Sequence, residues 1–180
     1  TSSSLVQAKF NSTHVDFLMP PLSPLELTAG FLGGAITRGV IVAVISGIGI
    51  QLSGLADLSV VHVWPIVWFS LTAAIILGAL GAMGGIWADK FDHLSAVTNF
   101  VIVPLTFLSG TFYDIKVMKE PFLTLAHLDP FFYMIDGFRY GFIGVANSSV
   151  VTGVIVTGVL SVLSTGAVWW MFRTGYKLKA

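Results

Sequence analysis

Four stretches of this chain are each long and apolar enough to cross a lipid bilayer, and few folds tolerate that. They cover about residues 24–52, 63–88, 94–113 and 150–172, where a transmembrane helix needs about 20 residues. Of the 180 residues, 55% are hydrophobic and only 10% are Asp, Glu, Lys or Arg, with mean hydropathy +0.88. A soluble domain carries about 25% charged residues to cover the surface it shows to water, and this chain lacks them. The spans are also rich in glycine, a poor helix former in water. In lipid each helix satisfies its own backbone, and small residues let helices approach one another. The fold class is therefore an all-α membrane protein with four transmembrane helices.

Other classes lose support. Nine basic and nine acidic residues cancel, so no basic field points to nucleic acid. The absence of cysteine excludes disulfides, thiolate nucleophiles and thiolate metal sites. Paired carboxylates, a nucleophile–base set and a Gly-rich phosphate loop are all missing, so no catalytic residue is assigned. Asp89 and His93 have the i, i+4 spacing of a helical metal pair, but with only Asp92 nearby they read as a solvated hairpin. No metal site is expected. His62 and His127 read as polar surface rather than ligands.

The first span opens on Ser23-Pro24-Leu25-Glu26, with a capping Ser, Pro at the first helical position and Glu three residues after the cap. At 1.5 Å per residue this span is about 43 Å long against a hydrocarbon core of about 30 Å, so its start lies in the headgroup layer. Arg38 then lies about 12 Å inside. A charge at that depth snorkels toward the cytoplasmic face or lines a polar interior. Gly30–Gly34 is a GxxxG, and Ala74, Gly78, Gly81 and Gly85 form a small-residue ridge on the second span. Both patterns indicate close helix packing.

The third span carries a polar stripe of Ser95, Asn99, Thr106, Ser109 and Tyr113, with Ile102 filling the gap. Asn99 is expected to face the bundle or a cavity. The hydroxyls either line a path or bond back to their own helix.

Orientation follows the basic residues in short loops. With both ends cytoplasmic, Lys9, Lys90, Arg173, Lys177 and Lys179 lie inside, and Lys116, Lys119 and Arg139 outside. The outer segment 114–149 is too apolar for a plain loop. Asp129-Pro130 reads as a cap and first helical residue, followed by Phe131, Phe132, Tyr133, Phe138, Tyr140 and Phe142. Asp136 and Arg139, three apart, share one helical face. A re-entrant or interfacial helix fits the aromatic content, and a folded outer loop is the alternative.

The run Pro104-Leu105-Thr106-Phe107-Leu108-Ser109-Gly110-Thr111-Phe112-Tyr113, continued by Pro121, Asp129-Pro130, Tyr133, Asp136, Arg139 and Gly144, resembles the carboxy-terminal half of permease subunits of ABC-2 type exporters. Near the amino end, Phe10-Asn11-Ser12-Thr13-His14-Val15-Asp16-Phe17-Leu18-Met19-Pro20 and Ser23-Pro24-Leu25-Glu26-Leu27 resemble the cytoplasmic loop before that family's third span. The family usually has Gly-Thr at Ser12-Thr13 and Pro at Tyr113. It also has six spans where four are seen here, so the resemblance implies a truncated six-span fold whose other pair precedes Thr1.

The resemblance implies a permease that forms a translocation path and couples to a separate ATPase. Residues 9–20 become a coupling helix, with Lys9, Phe10, Thr13, Asp16, Phe17 and Leu18 toward the ATPase cleft. Asn99, Thr106, Ser109 and Arg38 become candidates for the path, and Pro130, Tyr133, Asp136 and Arg139 mark the outer re-entrant segment. The implied partners are an ABC ATPase subunit, a second permease as a homodimer or pair, and the lipid of an inner membrane. ATP and Mg belong to the ATPase, with no cofactor on this chain. Two other readings compete. One is a membrane-embedded enzyme acting on lipid at the outer face, which needs His127, Asp129, Asp136 and Arg139 to converge. The other is a four-span accessory or scaffold protein.

Overall fold

The computed structural model describes residues 22–54, 60–110 and 122–177. The capping box at Ser23 forms as its residues predict. Ser23 Oγ accepts from the Glu26 amide at 3.3 Å, and Glu26 Oε2 accepts from the Ser23 amide at 2.6 Å. Two amide groups with no partner inside the helix are thus satisfied locally. Helix α1 (Pro24–Ser53) runs from there and stops at Gly54, which takes the left-handed conformation at φ 64°.

Helix α2 (Val63–Trp87) follows. The third span is composite, made of α3 (Phe91–Val97), a π-helical turn over Thr98–Ile102, and α4 (Val103–Leu108). Pro104 accounts for the interruption. It has no amide hydrogen to give to the preceding turn, and the ladder shifts register there, with the Val103 amide bonding to Thr98 O. Two short helices, α5 (Phe122–Leu128) and α6 (Pro130–Ile143), lead to the last span, α7 (Val150–Thr174). Four helices are long and apolar enough to cross a membrane, namely Pro24–Ser53, Val63–Trp87, Phe91–Leu108 and Val150–Thr174. Among the described residues there is no strand. The chain is an all-α membrane protein.

The third span begins about one turn earlier than apolar content predicts, because Phe91 starts the helix ahead of Asp92 and His93. It ends earlier too. Gly110 adopts φ 77°, a left-handed turn that ends the helical path near Ser109.

Helix α2 is the hub, packed by α1, α6 and α7. Near the start of α1 and the ends of α2 and α7, Leu32, Ala79, Ala82, Ile86 and Val168 form one cluster, with Phe31 and Phe172 stacked beside it at 5.6 Å. Farther out, Trp68 Nε1 donates to Thr157 Oγ1 of α7 at 3.3 Å. Phe69 is 1% exposed and wedges against Gly137 of α6 and Gly153 of α7. The absence of side chains at those glycines is what admits the ring. The third span stands apart, and none of its residues from Phe91 to Leu108 is buried. Its outer end meets α5 and α6, and Leu94 at its inner end approaches Gly84 of α2.

The small-residue patterns divide. Gly78 and Gly39 do pack closely: a Cβ at Gly78 would lie 2.6 Å from Ala35 Cβ, and one at Gly39 would lie 3.5 Å from Ala74 Cβ. Gly30 and Gly34 do not, since a Cβ at either would meet nothing within 4 Å. The GxxxG expected to pack a neighbouring helix instead borders open space. The tight contact lies half a turn away, on the Ala35–Gly39 face.

Candidate functional site: the outer helix and the third span

The outer segment contains the most heavily bonded polar residue described. Asp136, on α6, is 2% exposed and accepts five hydrogen bonds. Arg139 Nη2 donates to Oδ1 at 3.0 Å, and the Asn147 amide donates to both oxygens at 3.0 Å. The Ser148 amide and hydroxyl each donate to Oδ2 at 2.9 Å. The carboxylate therefore ties the turn after Gly144 back onto α6 and sets where α7 begins. Asp136 and Arg139 share a face as their spacing predicts. Asn147 and Ser148 are not legible as partners in the sequence, because α6 ends at Ile143 and it is the turn beyond Gly144 that brings them back.

Asp129 starts α6. Its Oδ1 accepts from the Phe131 amide at 2.9 Å, with Pro130 at the first helical position. Its Oδ2 is buried and finds no hydrogen-bond partner among the described residues. Burial pushes the Asp129 carboxyl above its ordinary value, only partly opposed by the Phe131 amide. A raised folded-state value disfavours the charged form in the native protein, so stability falls as pH rises from the ordinary carboxylate range through the raised one. Asn caps as well as Asp and carries no charge to desolvate. Asp129→Asn is therefore expected to match or exceed the wild-type thermal midpoint near neutral pH, with the difference shrinking toward about pH 4. A deficit at neutral pH that vanishes in acid would contradict this.

Tyr133 Oη donates to His127 O at 3.0 Å, closing α5 against α6, while Ala126 and Phe132 form a small buried cluster flanked by Leu108. Gly141 lets α6 lie directly on the start of α2. Its carbonyl accepts from the Val61 and His62 amides at 3.0 and 2.9 Å, and the His62 ring stacks on Tyr140 at 5.1 Å. The four residues required by a lipid-modifying enzyme do not share a pocket. Asp136 is filled by the turn, Arg139 is bonded to Asp136, Asp129 caps its own helix, and the His127 carbonyl holds Tyr133. The enzyme reading loses the convergence it needs.

On the third span, Thr106 Oγ1 donates to Ile102 O at 2.9 Å and Ser109 Oγ to Thr106 O at 2.6 Å, so both hydroxyls bond back to their own helix. Ser109 is buried where the span meets the outer helices. Ser95 and Asn99 are exposed, and Asn99 falls inside the π-helical turn. Tyr113 lies outside the described residues, as do Lys9, Phe10, Thr13, Asp16, Phe17 and Leu18 of the coupling segment.

Just past α7, Lys177 Nζ donates to Trp87 O and to Asp89 Oδ2, both at 2.9 Å, which pins the end of α7 to the turn between α2 and α3. Asp89 precedes α3 while His93 lies within it, so the two do not share one helix. Among the described residues no group of three or more His, Cys, Asp or Glu is placed to hold a metal ion.

Comparison with known proteins agrees with this architecture. The family described as ABC-2 type transporter matches residues 1–143. The inner membrane transport permease YadH of Escherichia coli strain K12 is 34% identical over 183 aligned positions, covering 99% of this chain and 69% of the relative. The protein of the same name from Shigella flexneri matches to the same extent. No solved structure matches the chain. A bundle of four membrane-capable helices, an outer helical pair clamped on top, and these two matches lead to one assignment: the chain belongs to the ABC-2 type transporter family.

Proposed function

We propose that this protein is the permease subunit of an ATP-binding-cassette exporter of the inner membrane, driven by a separate ATPase and working as a dimer with both ends cytoplasmic. The observation that carries the reading is the third span. It is long enough to cross the bilayer, bears Asn99 and Thr106, and leaves all its residues from Phe91 to Leu108 unburied, while Ser109 just beyond it is buried. A polar side chain such as Asn99 facing only lipid is costly. A second permease packed against this face would cover it and give Asn99 a path to line. The relatives' name as inner membrane transport permeases supports the location and the role.

In this reading ATP-driven closure of the ATPase pushes residues 9–19, and the push passes through Pro20-Pro21 into α1. Phe17 and Leu18 supply the apolar contacts with the ATPase cleft. Replacing both with Asp puts two charges into that contact, and co-purification with the ATPase is expected to be lost while the permease stays in the membrane. Undiminished association would show that coupling lies elsewhere on the chain.

A further inference from the structure

Arg38 is the fifteenth residue of the 30-residue helix α1, close to its midpoint. Its side chain is exposed and forms no ion pair or hydrogen bond among the described residues. It borders an open groove of about 600 Å³ between α1 and α2, within the size range of small-molecule sites. Gly30, Gly34 and Arg38 stand four residues apart, so they form one row along α1, and all three line the groove. Helical side chains lean toward the N-terminal end of their helix. With nothing at Gly34 or Gly30 to block it, a trough lies open in the direction Arg38 leans. Past Arg38 the lining continues with apolar Val42, with Ala74 on the α2 side.

We propose that this groove is a binding site for an anionic phospholipid. Its phosphate pairs with Arg38 above the Gly30–Gly34 trough, and an acyl chain lies along Val42 and Ala74. Charge complementarity selects the occupant, because an unpaired guanidinium among apolar surroundings needs an anion. Guanidinium binds phosphate through two parallel hydrogen bonds. The apolar continuation selects a lipid over a free ion, which would gain nothing from Val42 or Ala74. The groove is open along the helix face, and Val42 of its lining is more than half exposed, so lipid has direct access. The glycines that resemble a packing motif serve in this site as floor.

The test uses the full chain, purified in detergent, stripped of lipid and titrated with phosphatidylglycerol or with phosphatidylcholine of the same acyl chains. Bound lipid is counted by native mass spectrometry. Phosphatidylglycerol is expected to bind more tightly, and Arg38→Gln to weaken it by about tenfold or more, to the level of phosphatidylcholine. Gly34→Leu keeps the charge but fills the trough, and is expected to weaken both lipids. Circular dichroism matching wild type accompanies each variant. Unchanged phosphatidylglycerol affinity in either variant overturns the proposal. Displacement of the lipid by an equal concentration of inorganic phosphate overturns it in favour of a free anion. A change in oligomeric mass in Arg38→Gln with lipid affinity intact overturns it in favour of a second copy of the chain.

Discussion

Replacing Asp136 with alanine is expected to destabilise the protein by about 3–5 kcal/mol, the cost of removing one partner from a buried charged network. The effect is large because the losses fall on several groups at once. The Asn147 and Ser148 amides and the Ser148 hydroxyl lose their acceptor, and Arg139 loses its counter-charge. Amides left unsatisfied in a partly buried turn carry their full desolvation cost. In detergent, a fall of roughly 10 °C in the thermal midpoint is expected for a chain of this size. Protease should also cut between Gly144 and Val150 sooner. Asp136→Asn keeps one accepting oxygen but turns an NH2 group toward the turn's donors, so it should lie between alanine and wild type. Arg139→Gln should cost about 1 kcal/mol or less, because Arg139 is 33% exposed and the turn keeps its acceptor. Equal losses from Asp136→Ala and Arg139→Gln would mean that the ion pair, rather than the clamp on the turn, is what matters.

That ordering also marks where sequence reasoning reached its limit. What depends on neighbours within a turn was legible. The Ser23–Glu26 capping box and the Asp129-Pro130 start both formed where their residues predicted, because each is closed by bonds spanning two or three residues. The four spans were legible for a different reason: hydropathy over 20 residues averages out local detail. What depends on a distant partner was not legible. Asp136 meets Asn147 and Ser148 only through the turn beyond α6. Gly30–Gly34 on α1 and Ala74–Gly78 on α2 look alike as small-residue patterns, yet only the second meets a neighbouring helix. The difference lies in the rotation of α1 against α2, which no single-helix pattern encodes. The third span reads as one uninterrupted helix in the sequence, and Pro104 does not specify its interruption, since a kink, a break and a π-helical turn all begin from the same missing amide hydrogen.

Position along the bundle organises these features. Leu32, Ala79, Ala82, Ile86 and Val168 join α1, α2 and α7 at one end of the bundle, while Phe69, Gly137 and Gly153 join α2, α6 and α7 toward the other end. Helix α2 takes part in both, so it links α1 through continuous packing to α6 and α7. The third span, with its π-helical turn, lies outside that packing. Within that packing, the Phe69 ring touches α6 and α7 at once.

Enlarging Gly137 tests that contact with the second large expected effect. A Cβ at Gly137 would collide with the Phe69 ring, and the ring is also closed in by Gly153, whose own Cβ would lie 3.2 Å from it. Phe69 thus has no free direction in which to yield. Gly137→Ala is expected to cost about 2–3 kcal/mol, at the upper end for overpacking, because α6 must lift away from α2. Phe69→Leu alone leaves a gap and should cost about 1–3 kcal/mol. In the double variant the shorter side chain makes room for the added methyl, so the total should fall short of the sum by at least about 1 kcal/mol. Thermal midpoints of the four proteins in one detergent measure this coupling directly. Simple additivity would mean that α6 does not rest on Phe69. The Val61 and His62 amides give an independent readout, since they bond to the Gly141 carbonyl one turn further along. Their hydrogen exchange should accelerate in Gly137→Ala and slow again in the double variant, because lifting α6 at Gly137 also withdraws that acceptor.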